Sequence, residues 1–150
     1  MSRLPDFLLD GQRVLVTGAS SGLGLHFAGT LAAAGAEVML AARRKDRLDG
    51  AVQALCDAGH QASAVALDVC DAVSVDTLMD RLAAAHQLPD VLVHCAGVAV
   101  SKPLLEQTEA DWDQVLDTNL KGAWLVGQRW ACHRVAAGQG GAIVNIASIT

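Results

Sequence analysis

Short apolar runs alternate with amphipathic stretches along most of the chain. The apolar runs are too short for helices and contain many β-branched residues, which predicts buried strands at residues 14–16, 37–42, 62–67, 91–94 and 142–147. Between them, apolar residues recur at helical spacing, which predicts helices over residues 23–34, 45–58, 71–86 and 108–137. We expect an interruption of the last helix around residues 119–122.

This alternation of strand and helix predicts an α/β fold. Strands that are apolar on both faces must be covered on both sides, so the sheet is expected to be parallel with helices on each face. Right-handed crossovers and the doubly wound rule predict the strand order 3-2-1-4-5. Ligands of such sheets bind at the carboxyl ends of the strands, where the order reverses between the first and fourth strands.

The composition narrows the possible partners. With 150 residues, 52% of them hydrophobic, the chain is expected to form a single domain with a substantial core. The formal net charge of −5 argues against a surface for nucleic acid or anionic membrane, because either needs a basic face. No apolar stretch approaches the roughly 20 residues of a membrane span, and the N-terminus lacks a signal peptide's apolar segment. We therefore expect a cytoplasmic protein.

The cysteines and histidines predict no metal site. The 4 cysteines, Cys56, Cys70, Cys95 and Cys132, include no C-x-x-C pair, and the histidines show no ligand spacing. Small buried or half-buried thiols are the expected state. Cys132 is followed by His133, but consecutive helical residues point about 100° apart, so the two are not expected to form a nucleophile–base pair.

A glycine-rich turn separates the first strand from the first helix. The sequence R-V-L-V-T-G-A-S-S-G-L-G places Gly18, Gly22 and Gly24 there. Such a turn leaves the N–H groups of the first helical turn pointing outward at the positive end of the helix dipole, which predicts an anion site. The alternative is a glycine-rich turn that binds nothing. The spacing is T-G-x-x-x-G-x-G; it is neither G-x-G-x-x-G nor a P-loop, since no Lys-Ser or Lys-Thr follows.

This motif resembles the cofactor motif of the short-chain dehydrogenase/reductase family, and further matches extend over the chain. The resemblance, which is to 3-oxoacyl-carrier-protein-reductase-like members, implies an NAD(P)-binding Rossmann domain over residues 1–150. It implies hydride transfer between a ketone and a secondary alcohol, and a homodimeric or homotetrameric parent enzyme. The residues of the turn that it assigns to cofactor binding are Gly18, Ser20, Ser21, Gly22, Leu23 and Gly24.

The end of the second strand favours NADP(H) over NAD(H), although NAD(H) stays possible. An acidic residue at this place would bind the ribose 2′-hydroxyl, whereas Arg accommodates a 2′-phosphate. Here Ala42 is followed by Arg43 and Arg44, whose guanidinium groups suit phosphate oxygens. The alternative is that the two arginines only begin a solvated helix, although positive charge at a helix N-terminus opposes the dipole.

Two further segments are assigned to the cofactor by the resemblance. Asp68 and Val69 follow the third strand, where the family's Asp hydrogen-bonds the adenine amino group; the alternative is a helix N-cap, for which Asp71 is better placed. After the fourth strand the family pattern is N-N-A-G, of which only Ala96 and Gly97 match. In the position of the first Asn stands His94, which we expect to pack, or to donate a hydrogen bond.

Asn119 and Ser148 are the candidate catalytic residues. Asn119 lies in an N-x-x-G element whose Asn, in the family, interrupts a long helix and holds a water in a proton relay. Ser148 follows the fifth strand and resembles the serine that hydrogen-bonds the substrate oxygen. The alternatives are a local helix break, because Asn is mildly unfavourable within a helix, and ordinary turn chemistry for the serine.

The family's general acid is a tyrosine in a Y-x-x-x-K motif, and this sequence contains no tyrosine. We therefore interpret the chain as the N-terminal portion of a longer enzyme, without its acid, its lysine and its substrate loop. By itself it is expected to be inactive and to fold poorly, with the fifth strand as an exposed apolar edge. A non-catalytic dinucleotide-binding module or an inactive remnant is the alternative. The tryptophans Trp112, Trp124 and Trp130 correspond to a family dimer interface, or else pack in the core.

Overall fold

The computed structural model describes residues 8–148, which form one parallel 5-stranded sheet between two layers of helices. The strands are β1 (Arg13–Thr17), β2 (Glu37–Ala42), β3 (Ala62–Ala66), β4 (Val91–His94) and β5 (Ala142–Asn145). The helices are α1 (Gly22–Ala33), α2 (Asp46–Asp57), α3 (Ala72–Ala84), α4 (Glu109–Leu116) and α5 (Gly122–Ala136). A short 3₁₀ turn covers Leu104–Glu106, and a π-helical turn (Asp117–Lys121) joins α4 to α5.

The strand order β3-β2-β1-β4-β5 confirms the predicted topology. β1 lies at the centre and pairs in parallel with β2 and β4, so that Thr17 is in register with Ala41 on one side and His94 on the other. The reversal of strand order therefore falls between β1 and β4, as expected for a doubly wound sheet. This register brings the loops after β1 and β4 together at one edge.

Alternate residues of the central strand face opposite layers, because successive side chains of a strand point to opposite faces. Val14 and Val16 belong to a cluster with Ala28 and Leu48 from α1 and α2. Leu15 belongs to the other cluster, which the helices α3 and α5 complete with Val75, Leu78, Met79, Leu82, Leu125, Val126 and Trp130. The strands are apolar on both faces because the sheet is covered on both sides.

The last predicted helix is interrupted where the sequence indicated, but by a π-helical turn and not by a break. Asp117–Lys121 has the wider turn, and α5 continues directly from Gly122. A Cβ on Gly122 would stand 2.9 Å from Cγ2 of Val69 and 3.2 Å from its carbonyl oxygen. The absence of a side chain at Gly122 therefore lets the start of α5 pack against the segment after β3.

The remaining elements lie within one or two residues of their predicted positions. β3 ends at Ala66 and β5 at Asn145, one and two residues before the predicted ends, while α3 begins at Ala72. All 4 residues of β5 are exposed in this structure. None of the helices within residues 8–148 is long and apolar enough to cross a bilayer.

The three tryptophans have different environments. Trp130 is 4% exposed, and its indole Nε1 donates to the carbonyl oxygen of Pro89 at 2.9 Å. Trp112 and Trp124 are each 63% exposed. Trp130 therefore packs in the chain's own core, whereas the indoles of Trp112 and Trp124 lie on the surface.

Candidate functional site

A cleft of about 650 Å³ lies along the carboxyl ends of the strands. Its walls come from the loops after all five strands and from the π-helical turn. Of the sequence-predicted site residues, those that line it are Gly18, Ser20, Ser21, Leu23, Gly24, Arg43, Arg44, Asp68, Val69, Ala96, Gly97, Asn119 and Ser148. Gly22 is the one predicted residue that does not line the cleft. The fold thus brings together residues that are up to 130 positions apart in the sequence.

The glycines shape the wall beneath the cleft. Gly18 has φ +66°, and a Cβ there would stand 2.7 Å from the backbone N and Cα of Ala96. Gly18 therefore lets the turn after β1 lie directly against the loop after β4. Gly22 has φ +56° with nothing within 4 Å of its Cβ position, so glycine is needed there for the backbone conformation and not for space.

The N-terminus of α1 lines the cleft, and the N–H groups of its first turn have no hydrogen-bond acceptor among residues 8–148. Ser21 is the N-cap, but its side chain makes no capping hydrogen bond, and the first turn contains no acidic residue. The first hydrogen bond at this end runs from the N–H of Leu25 to the carbonyl oxygen of Ser21, 3.4 Å. The preceding N–H groups lie outside the helical pattern and, together with the helix dipole, favour an anion.

Arg43 and Arg44 add positive charge to the same cleft. Both are exposed and follow the half-buried Ala42 at the end of β2. Within residues 8–148 neither guanidinium has a hydrogen-bond or ion-pair partner, whereas the neighbouring Lys45 binds Asp49 at 3.0 Å. Two guanidinium groups with no partner in the described part of the chain line the same cleft as the N-terminus of α1, an arrangement whose charge suits a ligand with several anionic groups.

Asp68 is held in place by local hydrogen bonds. Its Oδ1 accepts from the N–H of Cys70 at 3.0 Å, and its own N–H donates to Oγ of Ser74 at 3.0 Å. The N-cap of α3 is Asp71, whose side chain accepts from the N–H of Val73. The alternative in which Asp68 caps this helix is therefore wrong, and the Asp68 carboxylate lies on the cleft wall instead.

Thr17 lies buried beneath the cleft and supports it, and the sequence reasoning did not single it out. Its Oγ1 accepts hydrogen bonds from the N–H groups of Cys95 (3.1 Å) and Ala96 (3.2 Å), so the hydroxyl hydrogen is left to donate to Nδ1 of His94 at 3.2 Å. Thr17 thereby holds the start of the loop after β4. The sequence did mark this residue, because Thr17 is the Thr of the T-G-x-x-x-G-x-G motif.

His94 is packed, as the sequence analysis expected. It is 2% exposed, and with Nδ1 as acceptor the ring proton resides on Nε2, which has no hydrogen-bond partner within the described structure. Burial lowers the pKa of His94. His94 is therefore neutral at neutral pH.

The Asn119 side chain connects the π-helical turn to the loop after β4. Its Oδ1 accepts from the N–H of Val98 at 2.8 Å, and its Nδ2 donates to the Val98 carbonyl at 2.9 Å. Both the oxygen and the nitrogen of the Asn119 amide are thus hydrogen-bonded to the Val98 backbone, and together they hold the segment that follows Gly97 in place. Ser148, which follows β5, lines the same cleft.

The chain matches known proteins over nearly its whole length. A family model described as short chain dehydrogenase matches residues 12–150. Gluconate 5-dehydrogenase of Gluconobacter oxydans (strain 621H) is 41% identical over 149 residues, covering 97% of this chain and 57% of that protein. The chain therefore spans just over half the length of the curated relatives it matches.

Solved structures match equally well. A putative gluconate dehydrogenase from Agrobacterium tumefaciens superposes with a TM-score of 0.89 at 39% identity, covering 95% of this chain and 56% of that one. A gluconate 5-dehydrogenase from Burkholderia cenocepacia J2315, solved in complex with NADP and tartrate, has a TM-score of 0.87 at 34% identity, covering 95% and 55%.

Proposed function

The chain belongs to the short chain dehydrogenase family, and from that premise we propose that it forms the cofactor-binding part of an NADP(H)-dependent oxidoreductase. The proposed reaction interconverts a ketone and a secondary alcohol by hydride transfer. The observation that carries the proposal is the single cleft in which the glycine turn, the arginines after β2 and the candidate catalytic residues meet.

The residues of the cleft suit a dinucleotide. The unused N–H groups at the start of α1 suit the pyrophosphate, because helix N-termini bind phosphate groups. Asp68 and Val69 are the proposed contacts of the adenine. Ala96 and Gly97 are the proposed contacts of the part of the dinucleotide nearer to the nicotinamide. When bound, the nicotinamide supplies or accepts the hydride.

Arg43 and Arg44 are the proposed readers of the 2′-phosphate that distinguishes NADP from NAD. Both guanidinium groups line the cleft without a partner among residues 8–148, and the end of β2 offers no carboxylate that would repel a phosphate. A hydrogen bond to a charged group contributes about 1.5–3 kcal/mol, so each arginine is expected to raise the affinity for NADPH by about tenfold or more.

Binding measurements test this assignment. We expect Arg43→Ala and Arg44→Ala each to weaken NADPH binding about tenfold or more, measured by cofactor fluorescence, while the affinity for NADH changes little. Arg47→Ala is the matched control, because Arg47 is also exposed at the start of α2 but does not line the cleft. A double Arg43→Ala, Arg44→Ala variant that binds NADPH as tightly as the natural protein contradicts the assignment.

For the chemical step we propose that Ser148 binds the substrate oxygen and that Asn119 is part of the proton relay. The Asn119 amide already holds the Val98 backbone on both sides, which supports a positioning contribution of its side chain to the loop after β4. The sequence contains no tyrosine, which is the general acid that the family resemblance implies. We propose that a longer parent polypeptide supplies this acid, together with the lysine that tunes it.

The intact mass of the protein from its native source tests that part of the proposal. A mass clearly above the 15.5 kDa of this chain supports a longer enzyme with its own acid. A mass of 15.5 kDa contradicts it and favours a non-catalytic dinucleotide-binding module, which would bind NADPH without turning over any carbonyl.

For the substrate we propose a secondary alcohol of the sugar-acid or polyol type. The similarity to gluconate 5-dehydrogenases supports this class. A panel of gluconate, other sugar acids and polyols with NADP, and 3-oxoacyl thioesters with NADPH, tests it. Turnover restricted to the thioesters contradicts the proposed class and favours the acyl-carrier-protein reductases.

We also propose that the parent enzyme is a homodimer or homotetramer that covers the exposed indoles. Trp112 on α4 and Trp124 on α5 are each 63% exposed, and buried aromatic anchors are typical of subunit interfaces. Light scattering of the whole protein measures the state directly. A Trp124→Ala variant is expected to shift it towards the monomer, and a monomeric natural protein contradicts the proposal.

A further inference from the structure

A buried histidine behind the wall of the cleft connects three of the segments that form that wall. His94 is the last residue of β4 and is 2% exposed. Its ring Nδ1 lies 3.2 Å from Oγ1 of Thr17, the last residue of β1. Its carbonyl oxygen accepts from the N–H of Ile146, which follows β5, at 2.9 Å. His94 therefore lies where the turn after β1, the loop after β4 and the segment after β5 meet.

The Thr17 hydroxyl has no capacity for a further donor. A hydroxyl group has one hydrogen to donate and two lone pairs that accept. The two lone pairs of Oγ1 accept from the N–H groups of Cys95 at 3.1 Å and Ala96 at 3.2 Å. Its hydrogen is left for Nδ1 of His94, so the arrangement is complete only while Nδ1 carries no proton.

The other ring nitrogen is already occupied by a proton. With Nδ1 as the acceptor, the proton of the neutral ring is on Nε2, which is buried and has no hydrogen-bond partner among residues 8–148. A second proton must therefore go to Nδ1, where it faces an oxygen that already accepts two hydrogen bonds. Protonation of His94 then requires that the ring turn away or that Thr17 release an N–H group of the loop after β4.

The charged groups packed against this face of the sheet have other partners. The His94 side chain lies on the side of α3 and α5, because His94 is two residues after Leu92, which packs there. The partners on these elements, the π-helical turn and the segment after β3 are Arg129 with Asp76, His133 with Asp80, Arg134 with Asp90, Lys121 with Asp117, and the N–H groups of Cys70 and Val73 with Asp68 and Asp71.

The remaining groups offer a protonated ring no counter-charge either. Arg81 of α3 is exposed, and the residue of β5 in register with His94 is the neutral Asn145. Burial raises the pKa of the adjacent Cys95 thiol, which therefore stays neutral in acid. An imidazolium at His94 thus forms no ion pair among residues 8–148, in agreement with the lowered pKa of His94 that burial causes.

We propose that His94 is a positioning residue that makes dinucleotide binding depend on pH, because its neutral ring holds the loop after β4 in place and its protonation releases that loop. The inference rests on the proposed function, since the ligand is NADP(H). Ala96 and Gly97 line the cleft, and a Cβ on Gly18 would stand 2.7 Å from the backbone N of Ala96. A shift of the loop is therefore expected to disturb the glycine turn as well.

Linkage gives the sign and the size of the effect. The complex needs the neutral ring, so the Kd for the dinucleotide rises as the pH falls through the pKa of His94 in the free protein, which is below 6.5. A single proton limits this rise to about tenfold per pH unit. Loss of one hydrogen bond corresponds to about threefold to tenfold in an equilibrium constant, and we expect a rise of that size.

Calorimetric titration of the whole protein with NADP, which is stable in acid, measures the Kd between about pH 7.5 and about pH 5, the range in which histidines titrate. His94→Asn is the decisive variant, because its amide oxygen is bonded to Cγ as Nδ1 is, accepts from the Thr17 hydroxyl and does not titrate. His133→Asn is the matched control, because His133 is paired with Asp80 and does not line the cleft. Titration of the NADP phosphates is common to all the proteins and cancels in the comparison.

The natural protein and His133→Asn are expected to lose about threefold or more in affinity on acidification, relative to His94→Asn. In buffers of different ionisation enthalpy, both are also expected to release more protons on binding NADP in acid than His94→Asn does. Equal pH dependence in the natural protein and His94→Asn overturns the proposal and leaves the proposed function standing. Failure of the natural protein to bind NADP at about pH 7.5 overturns the proposed function and this inference with it.

Thr17→Val tests the same coupling from the other partner. Without the hydroxyl group, protonation of His94 has no hydrogen bond to the loop to break. The variant is expected to bind NADP more weakly than the natural protein at about pH 7.5 and to show the small pH dependence of His94→Asn. Circular dichroism checks that each variant is folded at both pH values. A folded Thr17→Val protein that keeps the full pH dependence of the natural protein overturns the proposal, whether or not His94→Asn folds.

Discussion

Replacing Gly24 by alanine tests whether the turn after β1 packs against the start of α1. A Cβ at Gly24 would stand 2.5 Å from the carbonyl oxygen of Gly18 and 3.2 Å from Cα of Ala19. Ordinary contact begins at 3.4 Å, so the turn and the helix must separate by about 0.9 Å. The atoms that must move are backbone atoms, which no side-chain rotation can relieve.

Gly29 offers a matched control on the same helix. Nothing lies within 4 Å of the Cβ position of Gly29, so Gly29→Ala introduces the same methyl group without a contact. Replacing Gly by Ala within a helix stabilises it by up to about 1 kcal/mol, whereas overpacking a tight contact costs about 1–3 kcal/mol. Since both variants gain helix propensity, the difference between them measures the overpacking, and Gly24→Ala is expected to be about 1–3 kcal/mol less stable than Gly29→Ala.

Urea unfolding of the whole protein gives the free energy of unfolding of each variant, and cofactor fluorescence gives the affinity for NADPH. We expect Gly24→Ala also to weaken NADPH binding about tenfold or more, because a displacement of this size misaligns hydrogen bonds from the helix N-terminus. Gly29→Ala is expected to leave the affinity unchanged. If Gly24→Ala is as stable as Gly29→Ala, the close packing of the turn against the helix is refuted.

Three further substitutions test other parts of the structure. Burial lowers the pKa of His94, so below pH 6.5 the unfolded chain binds more protons than the folded chain. The free energy of unfolding is therefore expected to fall, as the pH is lowered, by at most about 1.4 kcal/mol per pH unit. In thermal melts at several pH values, His94→Asn should remove the contribution of His94 to this pH dependence. The hydrogen bond from Lys102, and then those from Thr108, lower the pKa of Asp111 to about 2. Asp111→Asn should therefore have a lower free energy of unfolding than the natural protein at pH 7. In acid titrations this difference should vanish as the pH falls from about 4 to 2. Gly122→Ala should raise the Kd for NADPH and lower the melting temperature, because its Cβ would meet a Val69 methyl at 2.9 Å; unchanged values for both contradict the packing of α5 against that segment.

Much of the fold follows from local patterns in the sequence. The period of apolar residues placed every strand and helix to within a few residues, and the rule for parallel sheets predicted the order of the strands. The glycine turn and Arg43 could be singled out as candidates because each motif is contiguous, so its chemistry can be judged from neighbouring residues alone, and both line the cleft. The same holds for Asp71, whose capping of α3 depends on a residue two positions away.

The contribution of Thr17 was not predicted, because it depends on residues far along the chain. Thr17 meets His94 and the N–H of Cys95 only through the register between β1 and β4. The contact between Cys70 and Thr118 likewise forms only because the start of α5 packs against the segment after β3. Local periodicity carries no information about such contacts, so they can be found only once the layers are assembled.

Taken by itself, the sequence determined which segments are strands and helices and where the sheet reverses its order, and it singled out most of the residues that prove to line one cleft. It could do so because hydrophobic period, glycine spacing and charge are local properties. Only the tertiary structure decided that Gly22 shapes the turn without facing the cleft, that Arg43 and Arg44 have no partner among residues 8–148, and that Trp130 is buried while Trp124 is not. The physical reason is that solvent exposure and pairing are properties of packed surfaces, and those surfaces exist only when distant segments come into contact.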